Sequence, residues 1–260
     1  MAFDDRQGGS LRVGALGLGT VGAAVVARLL DPAWQAQARA HGVEPPQLVA
    51  VGVRDPGRAR GVTLPAEVQQ TDDLAAVVDR VDVDVVVELI GGLSPATELI
   101  GRALASGKSV VTANKALLAA SGADLEAAAR ASGAALRFEA AVAAGIPVLA
   151  PLARDLAANR IDSVRGIVNG TTNFILSAMA AEDRDYADAL AEAQRLGYAE
   201  ADPSADIDGW DAAHKLVVLS RLAFGRWPAL GSVERTGITG VDASAVRDAA
   251  ERGQAIKLIA

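Results

Sequence analysis

The stretch "LRVGALGLGTVGAAVVARLL" (11–30) constrains the fold more than any other part of the chain. Its first seven residues read as a short buried strand, and the pattern from about Thr20 to Leu30 reads as an amphipathic helix. Gly17, Gly19 and Gly22 lie between and within them, in the spacing of a dinucleotide fingerprint and in the strand–turn–helix setting that its chemistry needs. Gly17 permits the tight turn. Gly19 lets the backbone approach a pyrophosphate at the positive end of the helix, and Gly22 allows close helix–strand packing. A glycine-rich turn without a ligand is the competing reading.

The first 145 residues repeat this alternation. Strands are expected in "QLVAVGV" (47–53), "VDVVVEL" (83–89), "KSVVTAN" (108–114) and "ALRFEAAV" (135–142). Helices are expected around 72–80, in "PATELIGRALASG" (95–107) and in "ADLEAAARASG" (123–133). Strands alternating with helices predict an α/β fold, here a Rossmann-type parallel sheet over residues 1–146. After "AAGIP" (143–147) the rhythm changes to a helix over 147–158, a strand over 161–168 and then helices through Phe224. A helix near 242–251 follows, and "QAIKLIA" (254–260) reads as the start of a strand. An α+β domain is therefore expected over 147–250, with 251–260 opening a further segment of what reads as a truncated chain.

The second strand runs into "VRDPGRAR" (53–60). An acid there would grip the 2′-hydroxyl of NAD, but Arg54 comes first and Arg58 and Arg60 follow, which suits a 2′-phosphate and favours NADP over NAD. Asp55-Pro56-Gly57 as a plain turn with solvated arginines stays open as the alternative. The formal net charge of −7 argues against nucleic acid or an anionic membrane as partner. The absence of cysteine excludes disulfides and thiolate chemistry. "MAFDDRQGGS" lacks the apolar core of a signal peptide, and no apolar run approaches the roughly 20 residues of a membrane span, so a cytoplasmic protein is expected.

Only four of the 25 basic residues are lysines: Lys108, Lys115, Lys215 and Lys257. Lys215 ends an unusually acidic run, "AEADPSADIDGWDAAHK" (199–215). Asp208 is placed to cap the helix that follows, and Asp211 and Lys215 share a helix face at i, i+4. A cap and an ion pair account for those three residues but not for Glu200, Asp202 and Asp206.

"AEAQRLGYAEADPSADIDGWDAAHKL" (191–216) closely resembles the signature of homoserine dehydrogenases. "GLGTVG", "VVTANK" (110–115), "FEAAVAAGIP" (138–147) and "NGTTNFIL" (169–176) match that family in order and spacing, so the resemblance spans nearly the whole chain. It implies NAD(P)H-linked interconversion of L-aspartate 4-semialdehyde and L-homoserine. Lys215 matches the catalytic lysine and Lys115 a second lysine near the reacting oxygen. Glu200 matches the residue that binds the substrate's α-ammonium, and Asp206 and Asp211 match residues that hold the substrate and orient Lys215. Asp202 and Asp208 read as structural, and so does His214, which neighbours Lys215 and points off a different helix face.

The resemblance further places the cofactor against Gly17, Gly19, Thr20, Val21, Gly22, Arg54, Thr112, Lys115, Gly170 and Gly197. It places a monovalent cation, sodium or potassium, on the Glu139 carboxylate and the carbonyls of Val142, Ala144 and Ile146. A strand end without metal also fits that two-residue spacing. A homodimer is implied by resemblance alone. The alternatives are a dinucleotide-binding fragment without turnover and another NADP-linked amino-acid dehydrogenase, though the latter has no reason to carry the 191–216 signature.

Overall fold

A computed structural model describes residues 9–260; most of the acidic opening stretch lies outside the described residues. The chain divides into two compact units between Ala141 and Val142.

The first unit holds β1 (Arg12–Leu16), α1 (Thr20–Leu30), α2 (Pro32–Ala40), β2 (Gln47–Gly52), β3 (Gln69–Thr71) and α3 (Leu74–Asp79). It continues with β4 (Val85–Glu88), α4 (Ala96–Ala105), β5 (Ser109–Thr112), α5 (Lys115–Ser132) and β6 (Leu136–Arg137). The strands form one six-stranded sheet in the order β3-β2-β1-β4-β5-β6, and every pairing is parallel. Valine-rich strands with both faces covered are what such a sheet requires. Val13, Ala15, Val26, Leu48, Val51 and Val85 belong to one buried cluster. Each large side chain there contributes roughly 1.5–3 kcal/mol by leaving water.

The register positions the site. Leu16 pairs with Gly52 on one side and Glu88 on the other, and Glu88 pairs with Thr112. The carboxyl ends of the four central strands therefore lie in one row. The chain departs from β1 first toward β2 and later toward β4, so the crevice beyond that row is a topological switch point, where open α/β sheets bind ligands.

Several expectations need correction. α5 begins at Lys115 rather than near 123, because Asn114 caps it and Gly122 is buried inside a continuous helix. α2, capped by Asp31 with Pro32 in its first turn, and the short β3 were not expected. β6 pairs over two residues only, because Glu139–Ala141 curls into a single 3₁₀ turn.

The second unit holds α6 (Leu149–Ala153), α7 (Gly170–Glu182), α8 (Tyr186–Arg195), α9 (Ser204–Ile207), α10 (Trp210–Phe224) and α11 (Ala243–Glu251). Ile175, Leu176 and Met179 of α7 pack with Ala189 and Ala193 of α8 and Val246 of α11. The alanines leave room for the two helices to approach closely. The helix expected over 147–158 is confined to α6. Neither 161–168 nor 254–260 forms a strand; their link is one reciprocal pair of backbone bonds between Gly166 and Ala260, each 2.9 Å, and one pair is too little for a ladder. Among the described residues no helix is long and apolar enough to cross a membrane.

Candidate active site

The first unit contributes a cleft of about 1110 Å³ at the switch point, lined by Gly17, Leu18, Gly19, Thr20, Arg54, Arg58 and the loop from Leu89 to Pro95. Gly17 has φ +100°, a conformation other residues rarely adopt, and its N–H donates to the Gly52 carbonyl at 2.8 Å. Gly19 precedes α1 without a side-chain cap, and a Cβ at Gly19 would meet nothing within 4 Å. No side chain caps the start of α1 and the space over Gly19 is open, as an incoming phosphate requires. Thr20 and Val21 are exposed in that first turn.

Arg54, Asp55 and Arg58 stand exposed on the rim. The Asp55 carboxylate accepts from the Gly57 N–H at 2.9 Å, and Arg60 donates to the carbonyls of Asp55 and Arg58 at 2.7 and 2.8 Å. Neither Arg54 nor Arg58 makes an ion pair among the described residues. Two guanidinium groups on the rim of the cleft make that rim favourable to an anion.

Below the cleft lies Glu88, fully buried, which sequence reasoning passed over at the end of an apolar run. One carboxylate oxygen accepts from the N–H groups of Ile90 and Gly91 at 2.9 and 3.0 Å, and the other accepts from the Thr112 hydroxyl at 2.6 Å. Thr112 in turn accepts from the Asn114 N–H at 2.9 Å, and the Asn114 amide donates to the Gly92 carbonyl at 2.7 Å. The proton of Thr112 is thus committed to Glu88. Lys115 follows at once, half-buried at the first position of α5.

The second unit gathers Asn169, Asp206, Asp211 and Lys215. Asp211 is buried in the first turn of α10, and the Lys215 side chain one turn later is 17% exposed. The Lys215 ammonium donates to Asp211 Oδ2 and to the Val168 carbonyl, both at 2.6 Å. An ammonium has three N–H donors, so one is without a partner among the described residues. Asn169 Nδ2 donates to Asp206 Oδ1 at 2.7 Å and to Asp211 Oδ2 at 2.8 Å. Asn169, too, was missed; its signal was the "NGTT" start of a helix, where a capping asparagine is ordinary.

The other expected residues of this unit take no part in these hydrogen bonds. Glu200 is exposed, and its carbonyl accepts from Gln194 at 3.1 Å. Its carboxylate makes no hydrogen bond among the described residues. Thr171 donates to the Tyr198 carbonyl at 2.7 Å, which ties the start of α7 to the segment carrying Gly197 and Glu200. Gly170 and Gly197 are exposed, Gly197 with φ +77° behind α8. Asp202 accepts from the Ser204 N–H at 3.1 Å; the Ser204 hydroxyl and then that N–H hold its carboxyl below the usual range, as expected of a local cap.

Asp208 is not the N-cap of α10. It closes α9, a short helix hidden in the acidic run, and Gly209 with φ +81° makes the corner. Arg235 donates to the Asp208 carbonyl and stacks 3.4 Å from the Trp210 ring. The Trp210 and His214 rings lie 6.5 Å apart, on the flank of the helix away from Lys215. The segment expected to hold a cation runs across the division between the units. Glu139 lies in the 3₁₀ turn, Val142 is buried, Ala144 and Ile146 are exposed, and the Ile146 N–H closes a 2.8 Å turn onto Ala143. Among the described residues no cluster of three or more His, Cys, Asp or Glu side chains could hold a metal ion.

Both units resemble known proteins. Residues 17–139 match the family described as homoserine dehydrogenase, NAD binding domain, and residues 147–260 match homoserine dehydrogenase. The homoserine dehydrogenase of Synechocystis is 47% identical over 251 residues, covering 96% of this chain and 57% of that protein. A homoserine dehydrogenase structure from Thiobacillus denitrificans superposes with a TM-score of 0.88 at 47% identity, over 96% of this chain and 57% of the other. A hyperthermophilic archaeal homoserine dehydrogenase in complex with NADPH superposes at 0.76 with 30% identity, over 90% of this chain and 76% of its own. The chain spans little more than half the length of the curated relatives it matches.

Proposed function

The chain belongs to the homoserine dehydrogenase family, and from that membership we propose that it interconverts L-aspartate 4-semialdehyde and L-homoserine with NADP. The observation that carries the reading is the Lys215 ammonium, fixed by Asp211 and the Val168 carbonyl with one N–H left over.

That arrangement suits proton transfer. In the reducing direction the aldehyde carbon gains a hydride and its oxygen gains a proton. Lys215 donates the third proton to the oxygen and becomes a neutral amine, while its other two N–H bonds still satisfy Asp211 and Val168. In the oxidising direction the same lone pair takes the proton back. Asp211 keeps the amine aimed throughout. Glu200, exposed and with a carboxylate that makes no hydrogen bond among the described residues, and Asp206 are the acceptors for the substrate's α-ammonium. Lys115, by resemblance, stabilises charge developing on the oxygen.

The nicotinamide, when bound, supplies or accepts the hydride. The residues that would hold its dinucleotide are Gly17, Gly19, Thr20 and Val21 for the pyrophosphate, with Gly22 keeping α1 close against the turn and Arg54 toward a 2′-phosphate. The open space over Gly19, the uncapped start of α1 and the arginine rim support that assignment. Arg54 and Arg58 on the rim, with Asp55 turned onto Gly57, favour NADP over NAD. The reading includes a sodium or potassium ion on Glu139, Val142, Ala144 and Ile146, a donor set made entirely of hard oxygens.

The test is to supply L-aspartate 4-semialdehyde with NADPH or NADH and follow cofactor oxidation and product. We expect L-homoserine in equal amount to the NADPH consumed, and a larger kcat/KM with NADPH than with NADH. Consumption without homoserine, or none by a folded chain that binds NADPH, contradicts the reading.

A further inference from the structure

Asn169 is 3% exposed and all of its hydrogen-bonding capacity in the cluster is used in one orientation. Its Oδ1 accepts from the Thr172 N–H at 2.8 Å and the Thr172 hydroxyl at 2.9 Å, which caps α7. That fixes which end of the amide is which, because neither Thr172 N–H nor a carboxylate could be served by the reversed group. Its Nδ2 then faces two carboxylates at once, Asp206 at 2.7 Å and Asp211 at 2.8 Å. Asp211 Oδ2 is the oxygen that also accepts from Lys215.

A cap needs only the oxygen. Serine or aspartate would cap α7 as well, so helix formation alone gives no reason for asparagine. What only the amide supplies is two donors for two anions that would otherwise repel each other in a partly buried place. The backbone one residue earlier presents the Val168 carbonyl to Lys215. The same two residues therefore set one acceptor of Lys215 directly and aim the other.

We propose that Asn169 is a positioning residue: its amide clamps Asp206 and Asp211 so that Lys215 is held by Asp211 and Val168 and presents its remaining N–H to the substrate. This rests on the reading of Lys215 as the proton donor. Asn169 then acts on Lys215 through Asp211.

The test compares the native chain with Asn169→Ser, both carrying ¹⁵N-lysine. The four lysines give few Nζ signals, and an ammonium held in hydrogen bonds exchanges slowly with water. Serine keeps the cap, but one hydroxyl cannot serve two carboxylates as well. In folded Asn169→Ser we expect the Lys215 signal to broaden into water exchange. We also expect kcat to fall about 10- to 100-fold, the cost of a misplaced catalytic group, with KM for NADPH unmoved. A Lys215 signal unchanged in the folded variant overturns the proposal, as does a native kcat there. A native chain without turnover, whose Lys215 signal still responds to Asn169→Ser, refutes the enzyme reading and upholds the clamp. Should Asn169→Ser fail to fold, Asn169→Asp, which keeps the shape and the cap but loses both donors, decides by the same two readings.

Discussion

At the scale of single residues, Gly22 shows how little freedom the glycine loop has. A Cβ there would lie 2.2 Å from the Gly17 carbonyl oxygen and 2.9 Å from its carbon. Both atoms are backbone, in a turn already fixed by the bond from Gly17 to Gly52, so nothing flexible can give way. The same backbone must present the amides of α1 to a phosphate. Gly22→Ala is therefore expected to cost about 1–3 kcal/mol in urea unfolding, the usual range for overpacking. It should also weaken NADPH binding measured by fluorescence. Gly19→Ala meets no such neighbour and should leave stability nearly native while still obstructing the pyrophosphate. A stable Gly22→Ala chain would mean that the turn is softer than its geometry states.

At the scale of elements, the strand starts are tied as firmly as the strand ends. Asp82, between α3 and β4, lies against Arg80 at 2.8 Å and against Arg12 of β1. Asp84 accepts from the Arg12 N–H at 2.9 Å. The Arg80 hydrogen bond, helped by the charges of Arg80 and Arg12, holds the Asp82 carboxyl below its usual range. A carboxyl depressed in the folded state stabilises the fold above its unfolded value and stops doing so as pH falls through the folded one. Unfolding free energy should thus decline below about pH 4, the ordinary aspartate value, and Asp82→Asn should flatten that decline. An unchanged acid limb in the variant would show that Asp82 contributes nothing to it.

Elements with a strong local signal were legible in sequence. The valine runs of β2 and β4 and the glycine loop before α1 could be read directly, because burial on both faces and a φ-positive turn leave few residue choices. The breaks in the acidic stretch were not. Asp208 looked like a cap because it precedes a helix, but a four-residue helix ends on it and Gly209 turns the corner. Residues 254–260 looked like a strand because they are apolar, yet strand formation depends on partners that sequence alone does not reveal. In the site, Lys215 and Asp211 could be paired by their spacing on one helix. Asn169 and Glu88 could not be found in this way, since their partners lie 37, 42 and 24 residues away.

At the scale of the whole molecule, the two units divide the proposed chemistry between them. The first offers the dinucleotide cleft at the end of its parallel sheet, built on Gly17, Arg54 and the loops that Glu88 holds. The second offers the proton, from a lysine whose neighbours leave it one donor to spare. The most direct test of this division is kcat and NADPH affinity for Lys215→Ala, measured beside the native chain. A kcat lower by about 10²–10⁴-fold is expected, the usual contribution of a positioned acid, with NADPH affinity within about threefold of native. A folded Lys215→Ala chain that still reduces the aldehyde at close to the native rate would contradict it.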